Sequence, residues 1–327
     1  MTILPALLLF AGLMGAAGGQ PLAQTAYPTK PIRIIVPYPP GAGTDFTGRE
    51  VGALFAKALG QPVVIDNRGG AAAIIGHTLG AKAAPDGYTL LLGTTGGLVS
   101  GPALMGARIP YDPLKDFATI GLATYVFYAI AVTGTLPANN IKELIELARA
   151  SPRKLNVASP GVGTPNHIGA AQLMTLTGIE LVHVPYKGSS LAMTDLLAGN
   201  VQVIVTGLLQ LLPHHQTGRL KILGVGHNTR IKAYPDIPAI AETVPGYYNT
   251  GWWGIVAPAR TPKPIVDKLN AIMRTQLVTS EVSQRFEKNG LEVATSTPRG
   301  FHEMIASDLE MWKKLIKDAK ISVDVLP

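Results

Sequence analysis

RIIVPYPPGAGTDFTGREVGALFAKAL, the sequence of residues 33–59, contains the pattern that decides the fold. The apolar run at residues 34–36 is typical of a buried strand, and several prolines and glycines then interrupt the chain between Pro37 and Gly43. From Val51 onward apolar residues recur at helical spacing, and Thr44 or Asp45 is placed to cap that helix. A glycine loop that joins a strand to a helix leaves backbone N–H groups free, which suits an anion.

The same pattern occurs a second time later in the chain. Residues 40–44 read PGAGT and residues 160–164 read PGVGT. The second copy also follows a strand-like run and precedes a helical pattern, which Asn166 could cap. Two copies in one context predict two similar lobes, each with an anion-binding loop. The alternative is a pair of ordinary strand-to-helix turns, in which glycine and proline serve backbone geometry alone.

Length and composition restrict the possible classes of protein. A chain of 327 residues is expected to form two domains. The sequence has no cysteine, which excludes disulfides, thiolate catalysis and metal sites with cysteine ligands. The formal net charge is +7, but the Lys and Arg residues are scattered and not interleaved with aromatic residues. No nucleic-acid partner is therefore expected, and the positive charge would only steer small anions.

The N-terminus has the pattern of a secretory signal. Residues 2–19 are almost wholly apolar or small, and small residues suited to cleavage follow them. Cleavage is expected after Ala23 or Ala26, so residues 1–26 are interpreted as a signal peptide. No later segment of the sequence is long and apolar enough to span a bilayer, which predicts an exported, soluble mature protein.

Strand-like and helical patterns alternate along the rest of the chain, which predicts an α/β fold with parallel strands. Such sheets bind ligands beyond the carboxyl ends of their strands. Small polar loops are expected there at residues 93–97, GTTGG, and at residues 185–188, PYKG, with Ser189 or Ser190 as a cap for the next helix. The β-like runs at residues 120–132 and 252–257 are interpreted as strands that connect the lobes.

The glycine loop at residues 40–44 does not fit a nucleotide-binding motif. Phe46 stands where a dinucleotide-binding loop has its third glycine, and Arg49 and Glu50 replace the Lys-Ser/Thr pair of a P-loop. Asp45 would also repel a polyphosphate. The histidines show no metal-binding pattern such as HExxH, so no metal site and no cofactor is expected.

A serine hydrolase is the alternative from another class of function. Ser159 and His167 are close in the sequence, but the first glycine of the nucleophile elbow GxSxG is missing and no acid partner is evident. His183 lies in an apolar run and is interpreted as a core residue. His167 could either donate to a carboxylate or hold the glycine loop in place. Lys187 could either pair with an anion or lie on the solvated surface.

A combination of short motifs carries a resemblance to a known family. The motifs are YP at 27–28 with PI at 31–32, PPGAGTD at 39–45, PDGYTLL at 85–91, YDP at 111–113 with KDF at 115–117, ASPGVGT at 158–164 with His167, HVPYKG at 183–188, DLLAG at 195–199, YPDIP at 234–238, WG at 253–254 and AP at 257–258. Over about residues 27–321 the chain resembles the periplasmic substrate-binding receptors of tripartite tricarboxylate transporters, the Bug or tricarboxylate-receptor proteins.

This resemblance implies a two-lobed periplasmic-binding-protein fold, a Venus flytrap, with a mainly parallel sheet flanked by helices in each lobe. It implies a receptor and not an enzyme. The receptor would hold a small organic carboxylate between its lobes and deliver it to the membrane components of a tripartite tricarboxylate-type transporter. A periplasmic monomer is expected. The first lobe is expected to comprise residues 27–125 and 249–327, and the second lobe residues 126–248.

The resemblance also implies which residues contact the ligand. They are Tyr38, Pro39, Gly41, Ala42, Gly43, Thr44, Asp45, Thr94, Thr95, Ser159, Gly161, Gly163, Thr164, His167, Tyr186, Lys187 and Gly188. Three departures from the family pattern bear on the ligand. Ala42 interrupts what is usually a pair of glycines, Gln202 stands where an Asp is usual, and a second acidic residue, usual a few positions on, is replaced near Thr206. Because such an acid could hold an ammonium group, its loss favours a plain mono- or dicarboxylate over an amino acid.

Overall fold

Ten strands form one continuous sheet flanked by ten α-helices in residues 27–318 and 321, which the structure, a computed structural model, describes. The predicted signal peptide, residues 1–26, lies outside the described residues. The strands are β1 (Ile32–Val36), β2 (Val63–Asn67), β3 (Thr89–Thr94), β4 (Phe117–Thr133), β5 (Asn156–Ser159), β6 (Val182–Pro185), β7 (Val203–Gly207), β8 (Leu220–Val225), β9 (Thr250–Pro258) and β10 (Leu291–Val293). The helices are α1 (Gly43–Leu59), α2 (Ile74–Ala81), α3 (Gly101–Met105), α4 (Ile141–Ala150), α5 (Pro165–Thr177), α6 (Ser189–Ala198), α7 (Leu208–Gln216), α8 (Lys263–Gln276), α9 (Ser280–Lys288) and α10 (Pro298–Asp318).

The sheet runs in the order β2-β1-β3-β9-β4-β7-β5-β6, and β8 and β10 both pair with β4. Strand β1 is parallel to β2 and β3, and β5 is parallel to β6 and β7. The antiparallel pairings all involve β4 or β9. The sequence-based prediction of an α/β fold with parallel strands is therefore confirmed, with antiparallel pairing at the connecting strands.

Strand β4 belongs to both halves of the sheet. Its first part, residues 117–127, pairs with β9, and residues 128–133 pair with β7 and β8. We call the part of the molecule built on β1–β3, β9 and β10 the first lobe, and the part built on β5–β8 the second lobe. The residue boundaries predicted for the lobes remain a proposal.

Each lobe has its own hydrophobic core. In the first lobe, Ile32, Ile34 and Val36 of β1 are fully buried in one cluster with Val51 and Phe55 of α1. A separate cluster in the second lobe joins β4, β5 and β7 to α4. Helices pack on both faces of the sheet, which is why its parallel strands are largely apolar in sequence and do not alternate strictly between apolar and polar residues.

Helix α10 covers the first lobe with one apolar stripe, whose residues recur at helical spacing in the sequence. Phe301, Ile305, Leu309, Trp312 and Ile316 are buried along one side of this helix. The helix begins at a proline, whose fixed φ suits the first helical position. No helix among the described residues is both long and apolar enough to cross a bilayer.

Three of the predicted helix caps are wrong. The N-cap of α1 is Ala42, so Thr44 and Asp45 lie inside the helix. The N-cap of α5 is Thr164, whose side chain accepts a hydrogen bond from a backbone amide of the first turn. Pro165 fixes the first helical position there, which moves the cap from Asn166 to the preceding residue. The N-cap of α6 is Gly188, which has no side chain to cap the helix, so neither predicted serine is the cap.

Two predicted segments also differ in the structure. The run at residues 93–97 is not a loop, because β3 continues to Thr94 and a π-helical turn, Gly96–Ser100, follows almost at once. The alanine-rich run in the sequence predicts a helix over roughly residues 71–83, but this helix begins at Ile74. Before it, Ala71, Ala72 and Ala73 have φ angles of 45°, 51° and 78°, which lie in the left-handed region.

Candidate functional site

A cavity lies between the lobes, beyond the carboxyl ends of five strands. Its walls come from the residues that end or follow β1, β3, β5, β6 and β7, and from β4, β9 and β10. The lining residues, all of them uncharged, are Tyr38, Ala42, Gly43, Thr44, Thr94, Gly96, Val126, Tyr128, Pro160, Asn166, Ser189, Gly207, Leu209, Gln210, Trp253 and Leu291. This is the position at which open α/β sheets bind ligands.

Four α-helices begin at this cavity. Gly43 starts α1, Asn166 lies in the first turn of α5, Ser189 starts α6, and Leu209 lies in the first turn of α7. The first N–H groups of a helix have no carbonyl partner within the helix and carry partial positive charge. This arrangement can stabilise a small anion although no charged side chain lines the walls of the cavity.

The first glycine loop brings Ala42, Gly43 and Thr44 to the cavity. The Thr44 side chain is buried, and its Oγ1 has no hydrogen-bond partner among the described residues. A buried hydroxyl without a partner costs free energy, so a ligand atom is a suitable partner for it. Gly43 is needed for close packing, because a Cβ there would lie 2.6 Å from Cη2 of Trp253.

Asp45 holds this loop from behind and does not line the cavity. Its Oδ2 accepts hydrogen bonds from the Gly41 amide at 3.2 Å and from Arg49 Nε at 3.0 Å. Its Oδ1 accepts one from Asn67 Nδ2 at 3.0 Å. Desolvation raises the pKa of the Asp45 carboxyl, but the hydrogen bonds from Arg49, Gly41 and Asn67 outweigh it and lower that pKa. Asp45 is therefore a charged, fully occupied group that fixes the loop.

Tyr38 and Thr94 line the cavity beside the first loop. Burial raises the pKa of the Tyr38 phenol, although a hydrogen bond with the Thr94 side chain acts in the opposite direction. The phenol is therefore neutral at physiological pH and can exchange hydrogen bonds with a ligand. Thr95 instead joins β3 to β9, since its Oγ1 accepts from the Trp252 amide at 2.7 Å and donates to the Trp252 carbonyl at 3.1 Å.

The second glycine loop reaches the cavity through Pro160 and Asn166, the two residues that flank its glycines and cap. Asn166 is held in place because its Nδ2 donates to the Val205 carbonyl at 3.0 Å. Thr164 Oγ1 donates to the Gly161 carbonyl at 2.7 Å and also accepts from the first turn of α5. These bonds shape the loop, so Gly161 and Thr164 lie behind the cavity wall.

Ser159, His167 and His183 form a buried cluster beneath the second loop. Ser159 Oγ lies 2.6 Å from Nε2 of His183, and the two imidazole rings are 4.5 Å apart. His167 Nδ1 accepts from the Gly163 amide at 3.3 Å. Burial, with the nearby His183, lowers the pKa of His167 to about 3, and burial lowers the pKa of His183 to about 4. Both rings are therefore neutral at physiological pH and support the loop.

This cluster gives the hydrolase alternative no complete catalytic group. Ser159 is 0% exposed and does not line the cavity. Its histidine partner is His183, whereas the sequence suggested a pair with His167. In a triad the other ring nitrogen of that histidine binds an acid, whereas Nδ1 of His183 has no hydrogen-bond partner among the described residues.

The predicted loop at residues 185–188 lies next to the cavity, and Ser189 after it lines the wall. The Tyr186 hydroxyl donates to Asp195 Oδ2 at 2.5 Å; burial and this carboxylate raise the pKa of Tyr186 to about 12. Lys187 is exposed and does not line the cavity. A Cβ at Gly188 would lie 3.0 Å from Cδ of Pro39, so two of the predicted loops touch across the lobes.

Metal binding has no candidate site in the part of the chain that the structure describes. No group of three or more His, Cys, Asp or Glu side chains there is placed to hold a metal ion. Beside the first glycine loop, Asp45 and Arg49 pair with each other at 3.0 Å, and the pair lines an outer groove, not the cavity.

The predicted set omits the start of α7 and the strand residues of the cavity wall. Val126 and Tyr128 of β4 lie in a long apolar run, which has the same appearance in the sequence whether it packs in a core or lines a cavity. The start of α7 did carry a signal. Gly207 ends a buried strand and directly precedes a helical pattern, much as the glycines of the predicted loops do.

The comparisons with known proteins place this geometry in a family. Residues 48–321 match the family model of TctC, described as the tripartite tricarboxylate transporter family receptor. The periplasmic binding protein BugD is 32% identical, with a TM-score of 0.86 over 90% of this chain and 99% of that chain. Rpa4515 of R. palustris, solved with adipate, is 31% identical, with a TM-score of 0.88 over 90% and 99% of the two chains. MatC from Rhodopseudomonas palustris, solved with bound malate, is 29% identical, with a TM-score of 0.83 over 89% and 100%.

These similarities extend over nearly the whole described chain and over both lobes. They confirm the two-lobed periplasmic-binding-protein fold and the resemblance that the sequence motifs carry. The chain belongs to the TctC family, the receptors of tripartite tricarboxylate transporters.

Proposed function

We propose that this protein is a periplasmic solute-binding receptor that captures a small organic carboxylate, a mono- or dicarboxylate, between its lobes. The observation that carries the proposal is the convergence of four helix N-termini on a cavity with uncharged walls. A carboxylate matches these groups because it accepts several hydrogen bonds and its charge is stabilised at helix N-termini.

Two relatives support the class of ligand. Rpa4515 was solved with adipate and MatC with bound malate, and both molecules are dicarboxylates. They support a carboxylate for this chain without fixing which one, because backbone amides and hydroxyls recognise a carboxylate but respond little to the carbon chain between its ends.

We propose two roles for the residues predicted from the sequence. Those that line the cavity would contact the ligand directly, and they are Tyr38, Ala42, Gly43, Thr44 and Thr94. The other predicted residues would position them, as Asp45 does when it binds the Gly41 amide.

The proposed physiological role is delivery without chemistry on the ligand. The signal-like N-terminus would export the chain, and the closed, loaded receptor would pass its ligand to the membrane components of a tripartite tricarboxylate-type transporter. Membership of the TctC family supports this partner. The ligand would favour the closed state only to the extent that it binds that state more tightly than the open one.

A thermal-shift screen of the mature protein tests the ligand class. The panel contains malonate, succinate, malate and adipate, with glucose and 1,6-diaminohexane as uncharged and cationic counterparts. At a ligand concentration of 100 times Kd, we expect a carboxylate to add about 2.7 kcal/mol to the free energy of unfolding and to raise Tm. If glucose or the diamine raises Tm and no carboxylate does, the proposal is wrong.

A second assay separates the receptor from the hydrolase alternative. Methyl esters of the stabilising carboxylate are incubated with the protein and with the Ser159→Ala variant. We expect no turnover from either protein. Turnover that the variant loses would contradict a role in binding alone.

A further inference from the structure

Gln210 occupies a special place in the wall of the cavity. It is the third residue of α7, the nine-residue helix that starts after Gly207. Gln210, Leu209 and Ala42 line both the cavity and an open groove on the outer side of the protein. These three residues therefore separate the cavity from the groove, at the point where α7 faces the start of α1.

Thr206 determines which end of the Gln210 amide remains free. Thr206 is fully buried, and its Oγ1 donates a hydrogen bond to Gln210 Oε1 at 2.9 Å. A side-chain amide has one acceptor oxygen and one NH2 group with two donors. Because Thr206 occupies the oxygen, the NH2 group is the part left for a ligand. Within the described part of the chain, Nε2 of Gln210 has no hydrogen-bond partner.

Hydrogen-bond donors, and not charged side chains, determine which ligand charge is favoured beside Gln210. The α7 start contributes partial positive charge on its first amides. Arg49 and Asp45, which line the groove, pair with each other at 3.0 Å, so their charges largely cancel. A negatively charged end of a ligand would therefore be stabilised beside Gln210. A positively charged end would face hydrogen-bond donors and partial positive charge, which do not stabilise it.

We propose that Gln210, oriented by Thr206, determines the charge at one end of the ligand. Its NH2 group donates to a second carboxylate, which makes the preferred ligand class a dicarboxylate that carries no ammonium group at that end. This inference rests on the proposed function as a carboxylate receptor and adds a residue that selects among carboxylates.

The test uses an isosteric change of charge. The dicarboxylate among malonate, succinate, glutarate and adipate that raises Tm most is chosen as the probe. Its Kd is measured by titration calorimetry together with those of the chain-matched monocarboxylate and ω-amino acid. In the unchanged protein we expect the dicarboxylate to bind about tenfold or more tightly than either analogue, since a hydrogen bond to a charged group contributes about 1.5 kcal/mol or more.

Gln210→Glu keeps the shape and can still accept from Thr206, but it places a negative charge where the donor stood. We expect this variant to bind the dicarboxylate about 30-fold or more weakly, because like charges in contact are strongly unfavourable. We also expect the ω-amino acid to become the tighter ligand. Gln210→Met, which removes the donor at similar volume, should weaken the dicarboxylate about tenfold without improving the ω-amino acid.

Each further outcome has a defined meaning. If Gln210→Glu is folded and binds the dicarboxylate within about threefold of the unchanged protein, Gln210 does not meet the ligand and the inference is wrong. If the unchanged protein binds the monocarboxylate as tightly as the dicarboxylate, the inference fails and the carboxylate receptor stands. If it binds no carboxylate at all, the proposed function fails as well. Should Gln210→Glu not fold, Gln210→Met alone decides, and an unaltered Kd overturns the inference.

Discussion

Thr44 illustrates how single residues make this cavity suited to an anion without a charged side chain. Its hydroxyl is already removed from water in the folded protein, and its Oγ1 has no partner among the described residues. A Lys or Arg in the same place would lose its hydration on binding, which costs several kcal/mol. A neutral, already buried hydroxyl at a helix start loses little hydration when the ligand binds. The Thr44 hydroxyl loses its water during folding, so its desolvation does not reduce the affinity for the ligand.

We expect Thr44→Val to weaken binding of the stabilising carboxylate about tenfold, the effect of one hydrogen bond to a charged group. The free energy of unfolding should stay the same or rise, because the lost hydroxyl has no partner within the protein. Titration calorimetry gives the Kd, and urea unfolding gives the stability. Thr47→Val is the matched control: Thr47 lies in the same helix and is also buried with an unpartnered Oγ1, but it does not line the cavity. Equal loss of affinity in both variants would contradict the role of Thr44.

The buried histidines should make the protein less stable in mild acid. Burial lowers the pKa of His167 to about 3 and the pKa values of His183 and His77 to about 4, below the ordinary value of 6.5. As pH falls below 6.5, the unfolded chain takes up protons that these folded rings resist. The stability present above pH 6.5 is therefore lost progressively between pH 6.5 and about 4 for His77 and His183, and down to about 3 for His167.

This loss can be measured by urea unfolding at pH 7.5 and pH 5.5. Each of these rings should contribute about 1.4 kcal/mol per pH unit below its ordinary pKa. His167→Asn can keep an acceptor for the Gly163 amide. Between the two pH values, the free energy of unfolding of this variant should change less than that of the unchanged protein, by the contribution of one ring. The unchanged protein, measured at the same two pH values, is the reference. An unchanged slope in His167→Asn would show that its ring is protonated in the folded state.

The sequence predicts which loops lie at the cavity more accurately than it predicts which side chains line it. Asp45, Lys187 and His167 were included because their family motifs lie in loops, yet none of them lines the cavity. Asp45 binds the amide of its own loop, and His167 accepts from another loop amide. A one-dimensional pattern cannot show whether a polar group is already satisfied by its neighbours, since that depends on the third dimension.

At the scale of elements, the connection between β2 and α2 is under strain. Ala71, Ala72 and Ala73 all have positive φ angles, and each L-residue in the left-handed region costs about 1–2 kcal/mol. The strained turn touches the second lobe, because a Cβ at Gly161 would lie 3.5 Å from Cβ of Ala72. A helix predicted for residues 71–83 from its alanines is shortened here by tertiary contacts, which outweigh a helix propensity of tenths of a kcal/mol.

Ala72→Gly should relieve part of this strain. Glycine adopts φ of 51° without a Cβ penalty, so we expect the free energy of unfolding to rise by about 1 kcal/mol. The control is Ala271→Gly, at an exposed position inside α8, which should lower stability by about 1 kcal/mol as glycine does in helices. Urea unfolding of both variants gives opposite signs if the turn is left-handed. Loss of stability in both would argue against that conformation.

Elements with a strong local pattern could be predicted, and those defined by distant contacts could not. The spacing of Asn140 and Glu143 in the sequence predicts a capping box for α4, and Asn140 Oδ1 does accept from the Glu143 amide at 2.9 Å. The helix also buries the face that its apolar spacing predicts, namely Ile141, Leu144, Ile145 and Ala148. Strand β10 was not predicted, since it spans residues 291–293 only and owes its pairing to Val126 and its neighbours on β4. Pairing over such a sequence distance leaves no periodic signal in three residues.

At the scale of the whole molecule, the lobes are in direct contact around the cavity. Ser100, in the π-helical turn of the first lobe, donates from Oγ to the carbonyl of Gly163 in the second glycine loop at 2.8 Å. Cβ atoms built at Gly163 and Gly188 would lie 2.8 Å from Met105 Cε and 3.0 Å from Pro39 Cδ. These contacts exist only while the lobes are together, so they favour the closed arrangement over any open one.

Ser100→Ala should therefore shift the equilibrium towards the open arrangement. In the closed protein the variant leaves the Gly163 carbonyl buried without its hydroxyl donor, whereas water could reach that carbonyl once the lobes separate. A loss of about 1 kcal/mol in the closed state corresponds to about fivefold weaker ligand binding. Because Ser100 does not line the cavity, the effect should appear mainly as faster dissociation in stopped-flow measurements.

The control must remove a similar hydrogen bond within one lobe. Thr119 Oγ1 donates to the Pro298 carbonyl at 2.7 Å, and both residues belong to the first lobe. We expect Thr119→Val to lower the free energy of unfolding by about 1 kcal/mol and to leave the Kd unchanged. Small-angle scattering of the ligand-free proteins should show a larger radius of gyration for Ser100→Ala alone. If Thr119→Val weakens binding as much as Ser100→Ala does, affinity depends on overall stability and not on closure of the lobes.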